Sequence, residues 1–148
     1  MKALLFFRIA VAVALLTAAS ALLAQNSGTG GTLSSFAGTW RGICQDGNPF
    51  TILSIRVSGK DLVGDISIAN MQGDGNGQCA KVNDPPSPQH AMKIDGAKVE
   101  GNVFSFQGSP KARFEMSLVD TQTARLKFLG TPIEEAPWQL VKSADPSR

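Results

Sequence analysis

The chain is poor in the residues from which reactive sites are made. Its 148 residues include no tyrosine, one histidine (His90), two cysteines (Cys44 and Cys79) and two tryptophans. One imidazole and two thiols, with no Cys-x-x-Cys, leave a metal centre short of ligands. A Ser-His-Asp arrangement would have to use His90, and no Gly-x-Ser-x-Gly accompanies it. Charge runs are also missing. Basic residues stand singly, which gives no footprint for nucleic acid. No segment after residue 24 carries a helical period over ten residues.

What is present begins with an export address. Lys2 and Arg8 precede an apolar run that ends in Ala19-Ser20-Ala21, a small-x-small pattern. Cleavage is expected after Ala21 or after Ala24. Arg8, Thr17 and Ser20 interrupt the run, leaving fewer than the ~20 consecutive apolar residues of a spanning helix. The expectation is a signal peptide over 1–24, an exported periplasmic or extracellular protein, and no stable membrane span after cleavage. Fourteen basic groups less Lys2 and Arg8 leave twelve, against twelve acidic ones, so the mature chain is neutral. The basic pI of the whole chain therefore argues for no nucleic-acid partner. In an oxidising compartment Cys44 and Cys79 are expected to form one disulfide, worth roughly 4 kcal/mol at most for a loop of about 36 residues.

Residues 25–35 read as a polar, Gly-rich linker, 36–142 as the folded domain and 143–148 as a polar tail. Within the domain, short runs of period 2 alternate with Gly, Asp, Asn and Pro. Eight strands fit: 38–44, 50–57, 61–69, 91–95, 98–107, 112–119, 123–129 and 136–142. The fifth changes phase between Val99 and Phe104, which suggests a β-bulge at Gly101-Asn102. In an up-and-down meander, the turns 58–60, 95–97 and 120–122 fall at one end and are tight. The connections 45–49, 70–90, 108–111 and 130–135 fall at the other end and are longer, which marks that end as the mouth. The fold class is thus all-β: an eight-stranded antiparallel up-and-down barrel with one disulfide.

Phe36-Ala37-Gly38-Thr39-Trp40-Arg41-Gly42, followed by an Ile-rich strand and Leu62-Val63-Gly64, resembles the opening of lipocalin-like and avidin-like (calycin-type) barrels. The resemblance implies structural roles for Gly38 and Trp40, with Trp40 plugging the closed end. Avidin-type sites use several Trp and polar ring residues, whereas this chain has only Trp40 and Trp138 and no Tyr. A weaker resemblance is to small periplasmic inhibitors of metalloproteases, which share the Gly-x-Trp opening, the barrel and one disulfide. They act through a protruding N-terminal segment, a role residues 25–35 could fill.

Other candidates read as ordinary surface. Asp61 and Asp65 share a strand face roughly 13 Å apart, too far for a glycosidase pair. Glu134-Glu135 and His90 lie in loops. Gly73–Gln78 begins like a calcium loop, but the twelfth position from Asp74 is Pro85 rather than a bidentate Glu. The expected function is non-enzymatic binding of a small apolar ligand, with no metal or cofactor. Ile68, Met92, Phe106, Phe114, Phe128 and Trp138 would line the site beneath the mouth, aided by polar groups such as Gln78 or Lys81. Gly42 and Gly64 would leave room inside. The alternatives are a protease inhibitor acting through the N-terminal arm or mouth loops, and a structural envelope protein.

Overall fold

The computed structural model describes residues 32–144. The expected signal peptide with both cleavage points, residues 25–31 of the linker and residues 145–148 of the tail lie outside the described residues. One helical turn, α1 (Leu33–Phe36), precedes eleven strands. These are β1 (Gly38–Ile43), β2 (Pro49–Ser58), β3 (Asp61–Ile68), β4 (Asn70–Gly73), β5 (Cys79–Asp84), β6 (Met92–Lys93), β7 (Asp95–Glu100), β8 (Val103–Ser109), β9 (Ala112–Leu118), β10 (Thr123–Phe128) and β11 (Trp138–Lys142). Short 3-10 turns stand at Pro88–His90 and Pro132–Glu134.

Nine strands form one antiparallel sheet in the order β6-β3-β2-β1-β11-β10-β9-β8-β7. Strand β6 pairs with β3 through Ile66↔Met92 and Asp65↔Lys93. Strand β7 pairs with β8 through Lys98↔Ser105, Val99↔Phe104 and Glu100↔Val103. Only Ile94 separates β6 from β7, so the two make one stave that leans on β3 above and on β8 below. The nine strands therefore act as eight staves of a nearly closed barrel.

Four expectations are corrected. The turn expected at 95–97 is a register shift within β7, and the bulge expected at Gly101-Asn102 is the tight turn joining β7 to β8. Both sites carry a glycine at positive φ, Gly96 at 58° and Gly101 at 61°, so local chemistry does not separate them. Side-chain phase does: with the turn at 101–102, Val99 and Phe104 come opposite each other and pack on the same core. The connection expected over 70–90 contains the β4–β5 hairpin. Finally, Leu33–Phe36 is a helical turn with Phe36 fully buried and Leu33 packed on the core, so the folded body begins ahead of residue 36.

Alternation fills the interior. Trp40, Leu53, Ile66, Phe104, Met116, Leu126 and Leu140 are all fully buried. An aromatic series runs through the barrel: Phe36 to Phe104 at 5.6 Å, Phe104 to Phe106 at 4.9 Å, Phe106 to Phe114 at 5.2 Å and Phe114 to Phe128 at 4.7 Å. Gly42 and Gly64 leave no room. A Cβ on Gly42 would lie 2.5 Å from the Phe50 ring, and one on Gly64 would lie 1.8 Å from the Ser54 carbonyl oxygen. The buried Thr51 hydroxyl donates to the Ser67 carbonyl at 3.0 Å, which removes the cost of placing it in an apolar interior.

Helical turn α1 covers the closed end. The Trp40 indole N–H donates to the Phe36 carbonyl at 2.8 Å. Lys142 donates to the Ser35 carbonyl at 3.2 Å and stands 5.0 Å above the Trp40 ring. Gly38 is needed where this lysine passes, because a Cβ there would come 2.6 Å from Lys142 Cε.

Candidate functional site

The mouth lies at the opposite end and is tied down on one side. Cys44, just beyond β1, is bonded to Cys79 at the start of β5. The loop around this bond is stitched to the hairpin. The Gln45 backbone N–H donates to the Cys79 carbonyl at 3.1 Å, and Asp46 Oδ2 accepts from the Val82 N–H at 2.9 Å. Across the mouth, the Trp138 indole donates to the Gly77 carbonyl at 3.2 Å and Gln78 Nε2 donates to the Ala136 carbonyl at 3.2 Å. The hairpin is thereby fixed over the β1–β11 side.

Backbone N–H bonds set the acidity of this region. The Val82 amide, followed by the Asn48 amide, holds the Asp46 carboxyl below its ordinary 3.8. The Asn76 amide does the same for Asp74. Asp74 Oδ1 accepts from Asn76 and Gln78 at 2.8 and 3.2 Å, and Oδ2 accepts from Gln45 at 3.1 Å. Its oxygens thus organise the hairpin tip itself. Among the described residues no group of three or more His, Cys, Asp or Glu is placed to hold a metal ion.

The six expected ligand residues divide into two groups. Phe106, Phe114 and Phe128 stack consecutively on β8, β9 and β10. Met92 joins them: a Cβ on Gly108 would meet Met92 Sδ and Phe114 Cε2 at 3.3 Å each. Phe106 and Phe114 are buried, whereas Met92 and Phe128 are half-buried at the rim. Trp138 is not in this stack. It meets Phe50 edge-on at 4.8 Å under the hairpin. Ile68 stands opposite Thr51, where β3 runs into the hairpin, and is half-buried.

Phe50 was hidden from the sequence pattern because a register shift between Gly42 and Ile43 puts it out of phase with Leu53 and Ile55. The missing side chain at Gly42 was the available signal, since the Phe50 ring occupies that space. The remaining candidates stand apart from the mouth stack. His90 is exposed on its 3-10 turn. Asp65 faces Lys93 at 3.6 Å, and Asp61 is exposed. Glu134 Oε2 accepts from the Gly130 N–H at 2.7 Å, closing the loop before β11.

Two concavities lie elsewhere. One of about 690 Å³ at the closed end is lined by residues including Ser54, Arg56, Gln122 and Lys142. One of about 190 Å³ lies beside the seam between β7 and β8, at Asp95 and Gln107–Pro110. None of the six expected ligand residues lines either concavity.

No helix among the described residues is long and apolar enough to cross a membrane. That and the disulfide are compatible with an exported protein. The all-β, nearly closed barrel is consistent with a calycin-like fold. In comparisons with known proteins, the chain matches no family model, no curated protein and no solved structure.

Proposed function

We propose that this is an exported, non-enzymatic binding protein of lipocalin-like type that takes a small apolar ligand at the free side of its mouth. The observation that carries this reading is the division of the mouth. The disulfide and hairpin fix the β1–β11 side, while Met92 and Phe128 remain half-buried over the Phe106–Phe114 stack on the other. Partly exposed aromatic and thioether surface above a rigid stack gains free energy from further burial, at about 25 cal/mol per Å². Because Phe106 and Phe114 are only 3% and 1% exposed, the ligand sits shallowly on the stack.

The experiment is titration of the mature protein with medium-chain fatty acids and an apolar fluorescent probe, followed by Trp138 fluorescence in a Trp40→Phe background. Saturable binding that weakens about tenfold in Phe128→Ala or Met92→Asp supports the site, at the ~1.4 kcal/mol per decade expected for losing one apolar contact patch. No saturable binding across the panel overturns it. The inhibitor alternative rests on the segment ahead of Thr32 and α1, which meet the barrel at the closed end.

A further inference from the structure

We infer that one wall of the barrel, β2-β1-β11-β10-β9, is a docking surface for a linear acidic polysaccharide whose carboxylates meet its arginines. These five adjacent strands carry five outward cations, Arg41, Arg56, Arg113, Arg125 and Lys127, against one carboxylate, Glu115, while Lys142 turns its ammonium to the Ser35 carbonyl and the Trp40 ring. The remaining strands, β3 to β8, carry three lysines against five carboxylates. All four arginines of the described residues thus stand on one wall, and all four are exposed. Both ion pairs among the described residues, Lys93–Asp65 and Lys98–Glu100, belong to the opposite wall. Glu115 is the Cα partner of Lys127, so it offsets that lysine before any arginine. The arginines are left with unused bidentate donor capacity toward carboxylates.

A second, separate observation points the same way. The concavity of about 690 Å³ lies at the foot of this wall. Its only charged lining groups among the described residues are Arg56 and Lys142, with Ser54 and Gln122 as further polar groups. It offers an anionic sugar a recess at the end of the arginine track.

The shape selects the occupant. Five strands spaced about 4.8 Å apart make the wall roughly 19 Å wide, and the register sets Arg56 toward the closed end and Arg113 toward the mouth, so the charges run obliquely over a curved surface. A planar lipid surface would touch only the middle of that arc, whereas a flexible chain can follow it. Single-stranded nucleic acid is disfavoured because its bases need aromatic platforms. The wall's alternating outward positions, such as Arg41, Ile43, Ser54, Arg125 and Val141, include none, and the aromatic rings of these strands are buried or half-buried on the other face.

The test uses the mature chain and a fluorescent oligouronate of defined length, at low and at moderate salt. Binding should be saturable and should weaken at least about tenfold between ~0.05 and ~0.5 M salt, as counterion-linked association does. Arg41→Glu with Arg125→Glu should weaken it about tenfold or more. Lys93→Glu with Lys98→Glu, on the opposite wall, should leave it within about twofold. Near-UV circular dichroism checks that both double variants keep the fold. No binding at low salt, equal loss in both double variants, or tighter binding to single-stranded DNA or to anionic vesicles than to the oligouronate would each overturn the assignment.

Discussion

Removing the Trp40 side chain tests how the closed end is held. Trp40 is fully buried, donates its indole N–H to the Phe36 carbonyl at 2.8 Å, and lies under the Lys142 ammonium at 5.0 Å. Trp40→Ala empties one of the two largest side chains of the core. The cost expected for Trp→Ala in a core is about 3–5 kcal/mol. Loss of the hydrogen bond leaves the Phe36 carbonyl without this partner and adds about 1 kcal/mol. The cation–π contact contributes about 0.5–1 kcal/mol more. These contributions share atoms and are not additive, so a loss of about 4–5 kcal/mol is expected. That is a large fraction of the ~5–15 kcal/mol available to a domain. Trp40→Phe keeps an aromatic ring and loses chiefly the donor, and should cost about 1–2 kcal/mol. The assay is urea unfolding followed by Trp138, the one tryptophan remaining in either variant. A loss below about 1 kcal/mol for Trp40→Ala would show that α1 and Trp40 do not seal the barrel.

Three further outcomes are expected. Cys44→Ser should cost about 2–4 kcal/mol and free the hairpin, read as faster amide exchange over β4 and β5; unchanged exchange would show that the Gln45 N–H to Cys79 and Val82 N–H to Asp46 hydrogen bonds suffice. Gly64→Ala should cost more than about 3 kcal/mol, beyond ordinary overpacking, because its Cβ would meet the Ser54 carbonyl at 1.8 Å; equilibrium unfolding gives the value, and a near-neutral result contradicts the register of β2 and β3. The folded-state pKa values of Asp46 and Asp74 are lowered, so their contribution is present above their ordinary 3.8 and is lost as pH falls through and below it. Hairpin protection should therefore fall on acidification below about pH 4, and Asp46→Asn should flatten that dependence; a pH-independent hairpin would refute it.

How much of this was legible in the sequence depended on whether the signal was local. Alternation in β2, β3, β9 and β10 gave the inward faces, because each of those strands keeps one phase over most of its length. The tight-turn end and the mouth were also legible, since a meander alternates its connections between two ends and the short ones here, after β2, β7 and β9, all fall at the same end. The exchange of turn and bulge around β7 was not legible. Asp95-Gly96 and Gly101-Asn102 both favour positive φ, and only the pairing of Val99 with Phe104 across the barrel wall decides between them. Phe50 and α1 were missed for the same reason: a register shift and a four-residue turn leave no periodicity to detect.

The charged wall shows the same limit in its strongest form. Arg41, Arg56, Arg113 and Arg125 are spread over 85 positions with no basic run among them. Pairing of β1 with β11 joins the first two strands of the sequence to its last three. Segregation of charge then follows from topology rather than composition, in a mature chain expected to be neutral. A neutral chain gains little long-range attraction for a polyanion, so association depends on this wall alone. The mouth stack and the arginine wall occupy different surfaces. Met92 and Phe128 stand at the rim, and the arginines project from the outer face of β1, β2, β9 and β10. Substitutions at one should therefore add independently to substitutions at the other, within the few tenths of a kcal/mol usual for sites without shared contacts. Strong coupling between apolar-probe and oligouronate binding would mean that the hairpin or the barrel wall links the two, and would require a barrel less rigid than its packed aromatic interior implies.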